Sequence, residues 1–384
     1  MKIVGVICEY NPFHLGHLAQ LAKLRAFGPD AAVVCVMSGN FVQRGQPAVF
    51  DKFTRAAAAA ACGADLVLEL PVTAALSSAE GFARGGVEVL DRLGIVTDLC
   101  FGCESGGAEP EKAAQAMCGP SFEPMLRENL DSGLSYAAAK QKALETLTGV
   151  SGILRRPNDI LAAEYCRALF LRGSAIAPMP VLREGDYHAA AADALAPSAT
   201  AVRELLASGG WEPFVPEAAR PFFASAPQYR MEYGERAVLA RLRAMEQCEW
   251  QHAAHGSEGL WSKAMKASRT ECGLAEIMEA VRSRRYPMTR IRRLLMCAYL
   301  GITEENLHGA IPAVRILAFG ERGRELTRMA RKEGSIPLLN PGQAAEDAEM
   351  QRRDERCADL YALFAEKPLP PGAERRVRIT FSEK

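Results

Sequence analysis

The sequence predicts an α/β fold, with a parallel sheet covered by helices on both faces and a mostly helical C-terminal part. Over the first 210 of 384 residues, short apolar segments alternate with segments of helical composition. The apolar segments are hydrophobic throughout, which is typical of parallel strands buried on both faces. Beyond about Pro213, strand patterns fade and helical periodicity rich in Arg and Glu replaces them. We therefore predict two domains, residues 1–210 and 211–384.

Each predicted strand is a short apolar run, and the predicted helices carry recognisable start or stop signals. Asp51 lies near one helix start, a Ser-x-x-Glu segment opens another, and Gly28 and Gly63 follow helix ends. The predicted strands cover residues 2–8, 31–39, 64–71, 96–102 and 175–183. The predicted helices cover residues 14–27, 51–63, 77–94 and most of 109–172.

The bulk composition excludes several classes of protein. The formal net charge is zero, so any basic surface that could bind nucleic acid must be local. The sequence has no run of about 18 apolar residues and no apolar leader before its first strand, so we predict neither a membrane span nor a signal peptide. Eleven cysteines, scattered among strands and helices, favour a reduced, cytoplasmic protein. The composition is compatible with a monomer and with a homo-oligomer.

Four polar segments directly follow predicted strands. In an open parallel sheet, the carboxyl ends of the strands meet at one edge, where ligands bind near the reversal of strand order. We therefore expect one shared site built from these segments. They are EYNPFHLGH at residues 9–17, SGNFVQRG at 38–45, CFGCE at 100–104 and REGDYH at 183–188.

The first of these segments contains two histidines, His14 and His17, at a junction between a strand and a helix. The free N–H groups of a helix N-terminus suit a phosphate group, and Gly16 allows close backbone approach. The sequence has neither a GxGxxG nor a GxxxxGKS/T loop, so a nucleotide would need this other cradle. Two packed core histidines, or a zinc site, are the alternatives. Further zinc ligands would have to come from Cys100, Cys103 or His188.

Two motifs together resemble those of a known superfamily. HLGH at residues 14–17 is similar to the HxGH signature of nucleotidylyltransferase-like proteins, and SATAVR at 198–203 is similar to their triphosphate-binding S-x-T-x-x-R. Further segments narrow the resemblance to the tRNA(Met) cytidine acetate ligases over residues 1–210, and more loosely beyond. These segments are CEYNPFHLGH, MSGNFVQRGQPA, GADLVLELP, FGCE, PNDILAAEY and SATAVR.

This resemblance implies a Rossmann-like HUP fold and an ATP-dependent ligase. Such an enzyme would form acetyl-adenylate from acetate and ATP, with Mg²⁺ bridging the phosphates. It would then transfer the acetyl group to N4 of the wobble cytidine of elongator tRNA(Met), giving N4-acetylcytidine. The implied partners are therefore acetate and this tRNA. Residues 1–210 would be the ATP-binding catalytic domain, and residues 211–384 a partly basic tRNA-binding domain.

The resemblance also implies roles for individual residues. His14, His17 and Arg203 are the predicted catalytic residues, which would stabilise charge on the pyrophosphate leaving group. A lid or wall of the substrate pocket, or else a simple surface turn, is predicted for Gly39, Asn40, Gln43 and Arg44. The predicted ATP-binding residues are Ile7, Cys8, Glu9, Tyr10, Asn11, Pro12, Phe13, His14, Leu15, Gly16, His17, Leu18, Ala19, Gln20, Gly102, Asn158, Arg183, Ser198 and Thr200.

The region between residues 281 and 332 is strongly basic, with twelve Arg or Lys against four acidic residues. In a neutral chain this asymmetry predicts contacts with RNA phosphates, and Tyr286 is a candidate for stacking on a base. A solvated basic helix is the alternative. The predicted tRNA-binding residues are Arg284, Arg285, Arg290, Arg292 and Arg293.

Two other functions are compatible with these motifs. The first is a nucleotidylyltransferase that joins ATP to a small phosphometabolite with release of pyrophosphate. The second is a non-catalytic RNA-binding module that retains a nucleotide as a structural ligand.

Three polar residues also have two interpretations each. Asp159 is a helix cap or a site residue, and Lys52 and Arg55 are exposed helix residues or part of the site.

Overall fold

The computed structural model describes residues 1–28, 30–105, 108–182, 198–376 and 380–382. The strands are β1 Ile3–Cys8, β2 Ala32–Ser38, β3 Phe41–Val42, β4 Gln46–Pro47, β5 Leu66–Leu70, β6 Asp98–Cys103, β7 Ala177–Leu182, β8 Val314–Gly320, β9 Leu338–Leu339 and β10 Thr380–Ser382. The first nine helices are α1 Leu15–Ala26, α2 Lys52–Ala61, α3 Val72–Ala75, α4 Ala79–Arg92, α5 Glu109–Cys118, α6 Phe122–Asp131, α7 Tyr136–Thr148, α8 Pro157–Arg172 and α9 Ala199–Ser208. The later helices are α10 Arg220–Ser225, α11 Met231–Ala244, α12 Gln247–His252, α13 Leu260–Thr270, α14 Leu274–Val281, α15 Met288–Leu300, α16 Glu304–His308, α17 Glu321–Glu333, α18 Ala348–Tyr361 and α19 Ala373–Arg376.

The central sheet has the strand order β10-β8-β5-β2-β1-β6-β7, and β9 pairs with β8. The five strands that the sequence predicted, β1, β2, β5, β6 and β7, are parallel to one another. From β1 the chain adds β2 and β5 on one side and later adds β6 and β7 on the other. The strand order therefore reverses between β1 and β6, and the predicted α/β fold is confirmed.

Alternate side chains of the strands pack into hydrophobic cores on opposite faces of the sheet. Val34 and Leu68 face a core shared with α4, α8 and α17, whereas Val33 and Val67 face a core shared with α1, α2 and α9. A third core surrounds Trp250 in the helical region after residue 211. In the part of the chain that the structure describes, no helix combines the length and apolar character needed to cross a membrane.

Three strands of the sheet, β8, β9 and β10, come from the region in which strand patterns were expected to fade. β8 is antiparallel to β5 and is buried along nearly its whole length. Its seven residues include Arg315 and lie among Arg-rich segments, which hides the strand pattern in the sequence. The sheet therefore crosses the predicted boundary at residue 210, while the division of function between the two parts stays a prediction.

The antiparallel direction of β8 sends the following helix, α17, to the opposite edge of the sheet. Gly320 donates its N–H to Asp65 O at 3.4 Å, and Arg322 Nη1 donates to Ala31 O at 3.1 Å. Asp65 and Ala31 precede parallel strands, so α17 begins at the amino edge, away from the predicted site. The basic residues between 281 and 332 are therefore not one continuous surface.

A cluster of buried charges joins the sheet to the C-terminal segment. Lys52 Nζ lies 2.6 Å from Glu69 Oε2 and 2.7 Å from Glu374 Oε1. Arg315 Nε lies 3.0 Å from the same Glu374 oxygen, and Arg315 Nη2 lies 3.6 Å from Asp354 Oδ2. Lys52 is thus buried and not an exposed helix residue. Burial raises the pKa of the Glu69 carboxyl to about 7.

Replacing Glu69 by Gln should flatten the pH dependence of stability. The pKa of Glu69 is 4.5 ordinarily and about 7 here, so the folded state binds this proton more tightly than the unfolded state. The stabilisation of the folded state that comes from binding this proton is complete below pH 4.5, and it is lost as the pH rises to about 7. We expect it to amount to on the order of 2 kcal/mol. Urea unfolding of the unmodified protein and of the Glu69→Gln variant at a series of pH values measures the free energy of unfolding of each. Curves of this free energy against pH that are parallel for the two proteins would contradict the prediction.

Candidate functional site

The two histidines lie where β1 ends and α1 begins, at the carboxyl edge of the sheet. His14 is the N-cap of α1, and its Nδ1 accepts a hydrogen bond from Gly16 N–H at 3.1 Å. His17 Nδ1 accepts from His14 N–H at 3.3 Å. Because both Nδ1 atoms accept hydrogen bonds, each neutral ring carries its proton on Nε2. Each ring thereby carries an N–H group, a kind of donor that suits an anionic ligand.

Packing fixes the orientation of both imidazole rings. The rings of His14 and His17 stack with centroids 3.7 Å apart, and the Tyr10 and Phe13 rings lie 4.8 and 5.5 Å from His17. Tyr10 and Phe13 are themselves buried, so the pair rests on the hydrophobic core of the sheet. The donors of the two rings are therefore preorganised beside the helix N-terminus.

The second predicted motif folds onto the first. Ser198 caps α9 by accepting a hydrogen bond from Ala201 N–H at 3.1 Å. From the first turns of this helix, Arg203 Nη1 donates to Asn11 O at 2.7 Å, across 192 residues of sequence. Arg203 Nη2 also donates to Thr200 Oγ1 at 3.0 Å. The structure thus brings the predicted catalytic residues His14, His17 and Arg203 to one edge.

The side chain of Arg55 links the carboxyl ends of β1 and β2. It lies beneath the loop between β1 and α1, residues 9–14, which we call the histidine loop. Its side chain is fully buried, and its guanidinium donates to the carbonyl oxygens of Glu9, Ser38, Gly39 and Phe50. Glu9 follows β1, and Ser38 ends β2. Sequence reasoning left Arg55 as either an exposed residue or a site residue, and the structure places it below the site as an internal support.

The loop after β6 is joined to the N-terminus of α8 by reciprocal hydrogen bonds. Asp159 Oδ1 accepts from Glu104 N–H at 2.7 Å and from Ser105 N–H at 3.1 Å. In return, Glu104 Oε1 accepts from Asn158 Nδ2 at 2.6 Å. Asp159 is fully buried, and its Oδ2 lies 3.7 Å from Arg156 Nη1. Of the two interpretations of Asp159, the helix cap is therefore excluded, because its carboxylate binds the adjacent loop.

The predicted lid is a small antiparallel hairpin that packs against the helical region. β3 and β4 pair at Phe41–Pro47 and Val42–Gln46, and Gln43 and Arg44 occupy the turn. Gln43 donates its N–H to Glu9 Oε1 at 2.8 Å, so the hairpin borders the histidine loop. The role of Gly39, Asn40, Gln43 and Arg44 as a lid or wall of the substrate pocket stays a prediction. Arg183, the remaining predicted ATP contact, lies outside the described residues.

The predicted tRNA-binding arginines differ in their availability. Arg284 and Arg285 are exposed, whereas the Arg290 guanidinium is engaged by Glu258 Oε2, Ser257 and His255 O. Tyr286 is only 6% exposed, and cations of three side chains surround its ring. The prediction that Tyr286 stacks on a base was therefore wrong. Burial lowers the pKa of the half-buried Arg293 guanidinium.

A zinc site is not favoured by the arrangement of donors. Among the described residues, no three His, Cys, Asp or Glu side chains converge in a way that would hold a metal ion. Cys100 and Cys103 are buried within β6 and pack into opposite faces of the sheet. His188, the third candidate ligand, lies outside the described residues.

Comparison with known proteins agrees with this geometry over the whole chain. The family model described as HIGH Nucleotidyl Transferase matches residues 1–375. The tRNA(Met) cytidine acetate ligase of Acetivibrio thermocellus is 35% identical over 400 residues, with 96% of each chain covered. The chain belongs to this ligase family. The ligase of Clostridium tetani is 33% identical and covers 96% of this chain and 97% of its own.

Solved structures of the family have the same fold. A crystal structure of Thermotoga maritima TmcAL in its apo form I superposes with a TM-score of 0.91, at 30% identity and full coverage of both chains. A second structure of that protein, bound with alpha-thio ATP, superposes with a TM-score of 0.89, also at 30% identity, and covers 99% of this chain and 100% of its own. The family and the enzyme class predicted from the sequence are therefore confirmed.

Replacing Asp159 by Ala should weaken the predicted ATP binding about tenfold, because two N–H groups of the β6 loop would lose their acceptor. Replacing Asp159 by Asn keeps an acceptor oxygen and should restore most of the affinity. Asp347 accepts from Met350 N–H at 2.7 Å as the N-cap of the distant helix α18, so Asp347→Ala is a matched control. Calorimetric titration with ATP compares the three variants, and equal weakening in both alanine variants would contradict a local role.

Proposed function

We propose that this protein forms acetyl-adenylate from acetate and ATP and transfers the acetyl group to N4 of the wobble cytidine of elongator tRNA(Met). The observation that carries this proposal is the 2.7 Å hydrogen bond from Arg203 Nη1 to Asn11 O. It holds the SATAVR helix against the HLGH loop, so both motifs associated with triphosphate binding would line one crevice at the carboxyl edge of the sheet. Membership of the ligase family supports ATP, acetate and tRNA(Met) as the substrates.

The crevice has a natural orientation for ATP. The triphosphate would lie over the N-terminus of α1, within reach of the Nε2–H donors of His14 and His17 and of Arg203. The adenosine would extend across the reversal of strand order towards Gly102 and Asn158. Glu104 orients the Asn158 amide through the 2.6 Å hydrogen bond to its Nδ2.

The first chemical step is displacement at the α-phosphorus of ATP. An oxygen of acetate forms a bond to this phosphorus, and the bond to the bridging oxygen of pyrophosphate breaks. Negative charge grows on the leaving pyrophosphate, where His14, His17 and Arg203 stabilise it by donating hydrogen bonds. Such a step requires positioning and charge stabilisation, and no side chain acts as a nucleophile.

Mg²⁺ would accompany the triphosphate and neutralise part of its charge. Because no three metal-ligating side chains converge in the described part of the chain, phosphate oxygens would supply most of the ligands. The protein would then position the metal–nucleotide complex through the donors of the histidine loop and Arg203.

The second step joins the acetyl group to RNA. The N4 amine of cytidine forms a bond to the acetyl carbon, the bond from that carbon to the oxygen of AMP breaks, and the amine proton leaves to solvent. The exposed Arg284 and Arg285 would contact phosphates of the tRNA. All eleven cysteines are thiols that are not joined in disulfides, so we place the reaction in the reducing cytoplasm.

Replacing His17 by Ala should lower acetate-dependent exchange of pyrophosphate into ATP about 100-fold, the effect of losing one such donor. His252, an exposed residue of α12, supplies the control variant His252→Ala, which should retain full activity. Incubation with ATP, radiolabelled acetate and tRNA tests the second step. Label that never reaches tRNA would reject the proposal, and exchange that requires a phosphometabolite instead of acetate would support a nucleotidylyltransferase.

Replacing both Arg284 and Arg285 by Glu should weaken tRNA binding at least tenfold and reduce the slope of log affinity against log salt by about 2. Arg127 on α6 has a side chain that is 74% exposed, and Arg127→Glu is the control for charge reversal alone. Filter binding over a series of salt concentrations measures both quantities. An affinity and a slope equal to those of the control would exclude these two arginines from the RNA contact.

A further inference from the structure

The β3–β4 hairpin, residues 41–47, touches the basic helix α15 through its backbone. Gly45 closes the turn with φ of +72°, and a Cβ added there would lie 2.6 Å from the carbonyl carbon of Arg292. The same Cβ would lie 2.7 Å from Arg293 N. The backbone of the turn therefore contacts the backbone of α15 directly. Any residue larger than glycine at position 45 would displace the hairpin or the helix.

The turn of the hairpin is also bonded to the histidine loop, and its base is held by α2. Gln43 N–H donates to Glu9 Oε1 at 2.8 Å, and Asn40 Oδ1 accepts from Lys52 N–H at 2.9 Å. The carbonyl groups of Ser38 and Gly39, which lead into the hairpin, accept from the buried Arg55. The base of the hairpin is therefore held by α2, and its turn contacts both the histidine loop and α15.

The helix that receives the tip is also held firmly. Ile291, Leu294 and Leu295 of α15 are buried in the core of the helical region. Arg290, one turn from the contact, donates to His255 O and to Ser257 and so braces the preceding loop. The turn of the hairpin therefore cannot move towards α15 unless this packed helix also moves.

We propose that Gly45 is a positioning residue for acetyl transfer, because it sets the distance between RNA held beside α15 and the acetyl-adenylate in the crevice. This inference rests on the proposed function. Gly45 touches neither substrate, and it acts through the hairpin and the α15 backbone. Transfer requires the attacking nitrogen and the acetyl carbon to come within about 3.5 Å, and a displacement of about 1 Å lowers such rates on the order of 100-fold.

The test compares two glycines with nearly the same positive φ. Gly149 ends α7 with φ of +70° and has no atom within 4 Å of an added Cβ, so Gly149→Ala carries the conformational strain without a contact. Gly45→Ala carries the same strain together with the overlap on α15. Gly45→Asn is the second variant, because Asn tolerates positive φ better than Ala but still introduces a Cβ.

Both Gly45 variants should slow acetyl transfer to tRNA at least tenfold, while acetate-dependent pyrophosphate exchange and the tRNA dissociation constant change less than about threefold. Gly149→Ala should leave all three quantities unchanged. A parallel loss of exchange and transfer would overturn the inference, because the hairpin would then act on adenylate formation. Unchanged transfer in the Gly45 variants would overturn it as well. Failure of the proposed function itself is separately visible, since the unmodified protein would then show no acetate-dependent exchange or no acetylated tRNA.

Discussion

The fully buried guanidinium of Arg55 donates hydrogen bonds to backbone carbonyl groups at the carboxyl ends of β1 and β2 and at the start of α2. A buried cation is costly unless its donors are satisfied, so this arrangement strongly favours one conformation of the surrounding backbone. The histidine loop begins at one of these carbonyl groups, and the hairpin begins at another. The relative position of the histidine loop and the hairpin therefore depends strongly on this buried side chain.

A second set of buried charges binds the two halves of the chain into one unit. Lys52, three residues before Arg55, pairs with Glu69 of the sheet and with Glu374 near the end of the described chain. Glu374 also pairs with Arg315 of β8, the strand through which the second half of the chain joins β5 of the sheet. Removing one member would leave a buried charge without its partner, which costs much more than a surface ion pair contributes. The crevice is consequently supported by residues from both ends of the sequence.

Sequence patterns predicted the parts of the site that are local in the chain. The HLGH loop, its strand and its helix lie within a short segment, so periodicity and capping signals were sufficient. Asp159 and Arg290 were interpreted incompletely because each binds backbone from a distant segment, and a single sequence contains no signal for such contacts. Tyr286 was predicted to be available for stacking, but the cations near it in sequence and space cover its ring. An Arg-rich segment therefore predicts positive charge but not which arginines remain available to RNA.

By itself, the sequence determined the parallel α/β sheet, the order of its first five strands along the chain, the histidine pair and the family. These features depend on hydrophobic periodicity and on short motifs, which act over a few residues. The tertiary structure decided which polar groups meet. It placed β8 antiparallel and thereby moved α17 away from the crevice, it held Arg203 on Asn11, and it set the tip of the hairpin against α15. Such contacts depend on burial and on hydrogen bonds between remote segments, which form only after the chain has folded.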